Sequence, residues 1–309
     1  MNKLWYILVV LVSLYIIGTV VSFVFLGDKF SYGDKIVVVS LEGPISSSGD
    51  SNFFNSGGIS STNVVKNIKE LSKDDSVKGI IFEINSPGGT VVASEEIADA
   101  IKNLNKTNYA VIRDVGASGG YWIASATDKI FVSPMSITGS IGVYGSYLEF
   151  SELFNKYGIG YERLVSGKYK DLGVPYKNLN DEEKELLQGK LNKIHVFFVN
   201  EVAKNRNMSV EKVSELATGE FYLGSEAKDL GLVDEFGDKD KAIEEMKKQL
   251  NLSDIGIVES RTKVSLLDKF LGNIAFQFGQ GFGTTFLKFG LDKKLEINAW
   301  KLSENSLNF

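Results

Sequence analysis

The sequence predicts an α/β protein built on a parallel sheet with crossover helices. Short apolar runs read as buried strands, glycine-rich turns directly follow two of them, and amphipathic helical stretches lie between, a unit recurring at about 30-residue intervals. The 309 residues are 43% hydrophobic, enough for a full core in one sizeable domain without a disulfide or metal staple.

After a short end at residues 1–3, Leu4 to Leu26 is an uncharged run. As a helix it would cover about 34 Å, enough for the apolar core of a bilayer. A cleaved signal peptide is the competing reading, but its apolar region is typically about 7–15 residues. No A-x-A pattern follows the run and no cysteine offers lipid attachment, so an uncleaved anchor is expected. Lys3 and the α-amine on one side nearly balance Lys29 and Lys35 on the other, so the charges leave the orientation open. Residues 27–35 form a linker, 36–250 the main domain and 251–309 a C-terminal extension.

Within the main domain, Ile36 to Leu41 is a first apolar strand, and Ser46 to Ser61, rich in serine and glycine, is a surface loop. Asn63 to Ser72 is an amphipathic helix. Gly79 to Ile84 is a buried strand that empties into Asn85-Ser86-Pro87-Gly88-Gly89-Thr90. The helix starting near Thr90 carries Val91, Ala93, Ile97, Ala98 and Ile101, with Glu95 and Glu96 early, where negative charge suits the macrodipole. Tyr109 to Ile112, Lys129 to Val132 and Ile141 to Tyr147 add strands, and Glu182 to Arg206 is a long helix. Beyond about Leu250, residues Leu267, Phe270, Leu271, Ile274 and Phe278 lie on one helical face, expected to pack peripherally. No internal repeat is visible.

Ser118, in Asp114-Val115-Gly116-Ala117-Ser118-Gly119-Gly120-Tyr121-Trp122 after a strand, is presented as a nucleophile would be. A hydroxyl needs a base, usually an imidazole. The single histidine, His195, sits in mid-helix beside an apolar stripe and reads as a half-buried packing residue. The base is therefore sought among lysines. A lysine amine serves only if burial lowers its pKa from about 10.4 to near 7, a shift worth roughly 4 to 5 kcal/mol.

The segment Tyr161 to Lys170 begins as a strand and then turns, which puts Lys168 and Lys170 on one face, both candidates on spacing alone. Gly88 and Gly89 can adopt positive φ and aim backbone N–H groups at a developing oxyanion.

These blocks resemble the signal peptide peptidase A family, the membrane-bound serine peptidases also called protease IV, and more distantly the Clp protease and crotonase fold. The resemblance spans Lys35 to about Leu250. It rests on Asn85-Ser86-Pro87-Gly88-Gly89, Ala117-Ser118-Gly119-Gly120-Tyr121, Gly139-Ser140-Ile141-Gly142-Val143, Ser166-Gly167-Lys168-Tyr169-Lys170 and the run Ala227 to Gly237.

It implies a serine peptidase domain in which Ser118 is the nucleophile, Lys170 the general base and Lys168 a bystander. Ser140 would set its hydroxyl against the lysine amine. The N–H of Gly119 and one from Gly88 or Gly89 would form the oxyanion hole. It further implies peptide substrates such as remnant signal peptides, an inside N-terminus with the catalytic domain outside the cytoplasmic membrane, and a homo-oligomeric ring whose neighbouring subunits share each site. Asp171 departs from the small residue that many relatives carry after the lysine. A carboxylate turned inward would raise the lysine pKa, so Asp171 is expected to face solvent.

Two other functions stay open, a crotonase-type acyl-CoA enzyme using a carboxylate base and a catalytically silent membrane scaffold. A net charge of −5 without a basic stripe argues against a nucleic-acid surface. No Walker loop, dinucleotide fingerprint or Cys/His metal spacing occurs, so neither cofactor nor metal is expected. The absence of cysteine agrees with an extracytoplasmic compartment and equally with a reducing one.

Overall fold

The computed structural model describes residues 33–48, 58–252 and 254–260, together with Trp5, Val12 and Ser13. The expected anchor at 4–26 lies almost wholly outside these residues, as do the middle of the serine- and glycine-rich loop and the apolar helical face from Leu267 to Phe278. Among the described residues no helix is long and apolar enough to cross a membrane.

Strand β1 (Lys35–Glu42) buries Ile36, Val37, Val38 and Val39 in succession, as a strand covered on both faces must. It is flanked by β10 (Gly256–Ser260) and β4 (Val77–Ser86), followed by β5 (Thr107–Ala117), β6 (Lys129–Val132) and β9 (Glu235–Phe236), each pairing parallel to its neighbour. The sheet thus takes in residues 256–260, which the sequence assigns to a C-terminal extension. Two short strands, β2 (Ile45–Ser46) and β3 (Ile59–Ser60), make a separate parallel pair.

Helices fill both faces. On one side lie α1 (Ser61–Lys73), α2 (Val91–Lys102), α3 (Gly119–Ser125) and α5 (Asp181–Arg206), whose Val64, Ile68, Ile97, Ile101, Phe198 and Val202 pack with Phe82, Ile84 and Ile112. On the other, α8 (Lys239–Leu250) sets Ala242 and Met246 against Ile36, Val38, Ile81 and Tyr109. The long α5 begins on a capping box, in which Asn180 accepts from the Glu183 N–H and Glu183 accepts in return, and ends at Asn207 in the left-handed conformation. The mixed, mostly parallel α/β architecture agrees with the fold class read from the sequence.

Three local expectations are corrected. The strand placed at Ile141 to Tyr147 instead lies just upstream, as β7 (Ile137–Gly139), which pairs with β5 and, antiparallel, with β8 (Phe221–Leu223). Gly139 and Ser140 have φ of 73° and 51°, and extended backbone cannot run through two consecutive left-handed residues. Tyr161 to Val165 forms no strand either: the segment is exposed and has no pairing partner among the described residues. It follows the short α4 (Ser151–Lys156), and Phe150, Phe154, Tyr176 and Tyr161 stack in sequence beside it.

The third correction is Asp171, which is buried rather than facing solvent. Its carboxylate receives both Nε (2.5 Å) and Nη2 (2.8 Å) of Arg163, and Lys177 lies 3.6 Å away. A planar guanidinium eight residues upstream offers a fork that water cannot match, and this draws the carboxylate in.

Two outcomes are expected from this packing. Phe82 is fully buried in β4, so Phe82→Ala lowers unfolding free energy by about 3–5 kcal/mol, read from the urea midpoint at unchanged m-value. The Arg163 hydrogen bonds hold the Asp171 carboxyl at about 2, below its ordinary 3.8. Its stabilising contribution is therefore complete above the unfolded value and disappears as pH falls through about 2. A carboxyl-carbon NMR titration of the wild type should place the Asp171 midpoint near 2, and Arg163→Gln should move it up toward the ordinary value.

Candidate functional site

The site starts from an irregularity between β4 and β5. Ile84 faces Ile112, but two residues further on Ser86 faces Gly116, so β5 carries extra chain across this step. The extra residues are held by one side chain: Asn85 Oδ1 accepts from the Val115 N–H (3.1 Å) and Nδ2 donates to Asp114 (3.3 Å). At the same step β5 exchanges partners, pairing with β6 up to Ile112 and with β7 from Val115 to Ala117. A bulge bends its strand and re-aims the residues at its far end. Here the residue re-aimed is Ser118.

Ser118 is half-buried, with φ 52° and ψ −122°, at the first turn of α3. Its N–H donates to the Gly139 carbonyl (2.8 Å), and its own carbonyl accepts from Trp122 (2.9 Å). The helix behind it is anchored by Trp122 stacked on Phe198 of α5 (4.7 Å) and by the buried Tyr121 hydroxyl donating to the Leu232 carbonyl (2.8 Å). The described non-glycine residues with positive φ are Ser118, Ser140, Asn207 and Asn251. Asn207 and Asn251 are helix C-caps, where the left-handed conformation is ordinary. The two serines share one cavity, and strain of this kind persists only where the surroundings enforce it.

That cavity, of about 1060 Å³, is walled by Pro44, Ile45, Pro87 to Thr90, Ser118, Ser140, Gly142 to Ser146, a face of α5 and the turn Ala217 to Gly219. Gly88 has φ 98°, and a Cβ there would lie 2.7 Å from the Gly119 nitrogen and 2.9 Å from Ser118 Cβ, so the turn approaches the serine as only glycine allows. The Gly88 N–H is directed into the turn, donating to Ser86 Oγ (3.1 Å). The neighbouring Gly89 is exposed on the cavity wall, and its N–H has no partner among the described hydrogen bonds. Gly119, first residue of α3, likewise has no partner for its N–H among the described hydrogen bonds, as is usual at a helix start. An ideal Cβ on Gly119 would sit 3.4 Å from the Gly89 nitrogen, so the two N–H groups are neighbours.

Ser140 is fixed through its backbone, its N–H donating to Glu220 (2.9 Å), while its hydroxyl donates to the Gly219 carbonyl (3.2 Å). Ser118, Ser140, Gly88 and Gly89 are thus brought together, with Gly119 behind. Lys170 is not among them: it is exposed, in the turns after Gly167, and no lysine lines the cavity among the described residues. Lys168 donates to both Glu182 carboxylate oxygens (2.6 Å), which raises its pKa and keeps it protonated. His195 is half-buried as expected, but it also stands on the cavity wall, its Nε2 2.9 Å from the Ala217 carbonyl oxygen.

The sequence carried one further signal. Gly116-Ala117-Ser118-Gly119-Gly120 has the G-x-S-x-G spacing of a nucleophile turn, with strand before and helix after. Asn85 marks the bulge, although nothing short of the pairing register reveals it.

Comparison with known proteins agrees with this geometry. The family model for peptidase family S49 matches residues 100–253, and that for Clp protease matches residues 57–137. The chain is 37% identical over 243 residues to an Enterococcus faecium protein named "Putative signal peptide peptidase SppA", covering 77% of this chain and 71% of that one. It is 33% identical to "Protease 4" of Haemophilus influenzae over 72% of this chain and 36% of that longer protein. With the chloroplastic "Serine protease SPPA" of Arabidopsis thaliana the figures are 32%, 75% and 34%. The family match, and a relative more than two-thirds covered at this identity, lead to one conclusion: the chain belongs to peptidase family S49.

Proposed function

We propose that this protein is a serine-type endopeptidase that cuts peptides at a membrane surface with a Ser118–Lys170 dyad. The observation that carries the proposal is Ser118 held at φ 52° on the wall of a cavity beside two unengaged backbone N–H groups. The Ser118 hydroxyl adds to the scissile carbonyl as its proton passes to a neutral lysine amine. The N–H groups of Gly89 and Gly119 receive the oxyanion, Gly88 being excluded because its N–H serves Ser86. The lysine returns the proton to the leaving amine, then takes one from the water that attacks the acyl group and hands it to the Ser118 oxygen as that bond breaks. Ser140 steadies the amine through its hydroxyl.

Because Lys170 of the same chain does not line the cavity, the amine is supplied by Lys170 of a second copy in a homo-oligomeric ring. The apolar run at 4–26 anchors the chain, N-terminus inside as the family resemblance implies, and places the cavity near membrane-derived peptides such as signal-peptide remnants. The names of the relatives support a peptidase over an acyl-CoA enzyme. So does the cavity, whose lining includes no Asp or Glu among the described residues to act as the carboxylate base such an enzyme needs.

The decisive experiment is complementation. Ser118→Ala and Lys170→Ala each lower peptide hydrolysis by about a thousandfold or more, and fluorophosphonate labelling of Ser118 is lost in both. Mixing the two inactive proteins under exchange restores up to about a quarter of wild-type activity, the share of sites that combine an intact serine with an intact lysine across an interface. Full activity in Ser118→Ala would overturn the nucleophile. Inactive mixtures that do form hybrid oligomers would overturn the shared site.

A further inference from the structure

We infer that His195 is a positioning residue for this reaction: it holds the turn Leu216 to Glu220, and through that turn Ser140, in register with Ser118. The inference rests on the Ser118–Lys170 reading and deepens it. The histidine is the only one in the chain, and it stands on the wall of the cavity that holds Ser118.

A carbonyl oxygen only accepts, so the 2.9 Å contact to Ala217 puts the hydrogen on Nε2 of His195. That nitrogen then has no lone pair to offer Ser118. Ala217 is buried, at 4% exposure, and follows α6 (Val210–Leu216), where a carbonyl has no partner further along the helix. A buried carbonyl without a donor is costly, and His195 supplies the donor from α5.

Three other carbonyls of the turn are tied as well. Leu216 accepts from the Tyr222 hydroxyl (2.9 Å), Gly219 from the Ser140 hydroxyl (3.2 Å) and Glu220 from the Ser140 N–H (2.9 Å). The Gly219 N–H donates to Ile141 (3.1 Å), and Gly219 Cα lies 2.9 Å from where a Gly142 Cβ would stand. One residue before Ser140, the Gly139 carbonyl receives the Ser118 N–H. A continuous series of contacts therefore leads from α5 to the nucleophile, and His195 joins it to the helix. Without that donor the turn can shift, and the Ser140 hydroxyl shifts with it.

Glutamine and asparagine separate this role from packing. The Gln amide reaches the place of Nε2, whereas the shorter Asn amide reaches only that of Nδ1. In the full-length protein, His195→Leu and His195→Asn should lower kcat on a peptide substrate about threefold to tenfold with KM within about twofold, as loss of one positioning hydrogen bond predicts. His195→Gln should recover most of the wild-type kcat. If His195 acts through Ser140, Ser140→Ala combined with His195→Asn should be no slower than Ser140→Ala alone.

Wild-type kcat in His195→Asn, equal loss in Gln and Asn, or multiplicative losses in the double variant would each overturn the inference. Ser118→Ala is assayed in parallel. If it keeps its activity, the nucleophile assignment fails; if it is dead while His195→Asn is fully active, only the positioning role fails.

Discussion

The side chain of Asn85 sets the geometry at the end of β5 on which the candidate site is built. Parallel strands in register would carry β5 straight on beside β6, and the residue after it would emerge over the sheet edge. Asn85 instead occupies both hydrogen-bonding groups of its amide on Asp114 and Val115, which stabilises the extra length of β5 and hands the strand to β7. Three later features depend on that step: the turn at Ser118, the approach of Gly88 from the neighbouring strand end, and the donation of the Ser118 N–H to β7. A short amide is suited to the task because it offers one donor and one acceptor in a single plane.

The parts of this structure that were readable in the sequence are those in which local composition and burial agree. Val37 to Val39 and Ile80 to Phe82 are apolar because both faces of their strands are covered, and α1 and α2 announce themselves through apolar spacing. The glycine turns were equally legible, since a turn that approaches another backbone within 3 Å admits nothing else. What failed to register was long-range. Gly139 and Ser140 bend the backbone because of what they meet on β8 and the adjoining turn, so an apolar run downstream looked like a strand. Asp171 looked solvent-facing because Arg163, eight residues away, gives no sign in the sequence that its guanidinium folds back. That the Gly88 N–H turns inward follows from a Ser86 hydroxyl whose rotation no spacing encodes.

The fate of the lysines illustrates the same limit. Spacing made Lys168 and Lys170 equivalent and the family resemblance favoured Lys170; in the structure Glu182, in the first turn of α5, engages Lys168. The helix that supplies His195 to the cavity wall therefore also pairs, at its start, with a lysine outside the cavity lining. Its length lets it serve several ends at once, from Glu183 at the start to the Trp122 stack near the middle and Arg206 bound to Asp234 at the close.

The cavity is bounded by two kinds of wall, and they differ in how they can change over generations. Around Ser118 the wall is backbone on backbone: an added methyl at Gly88, Gly89 or Gly142 would meet main-chain atoms at 2.7, 1.9 and 2.9 Å. That side is frozen, because any side chain there collides with atoms that hold the strand ends in place. Across the cavity, Gln188, Leu191 and Asn192 line the open space with side chains carried by a helix, and exchanging them leaves the ladder untouched. Change in the cavity is thereby channelled to α5, so descendants of this chain can alter its lining while Ser118 keeps its setting.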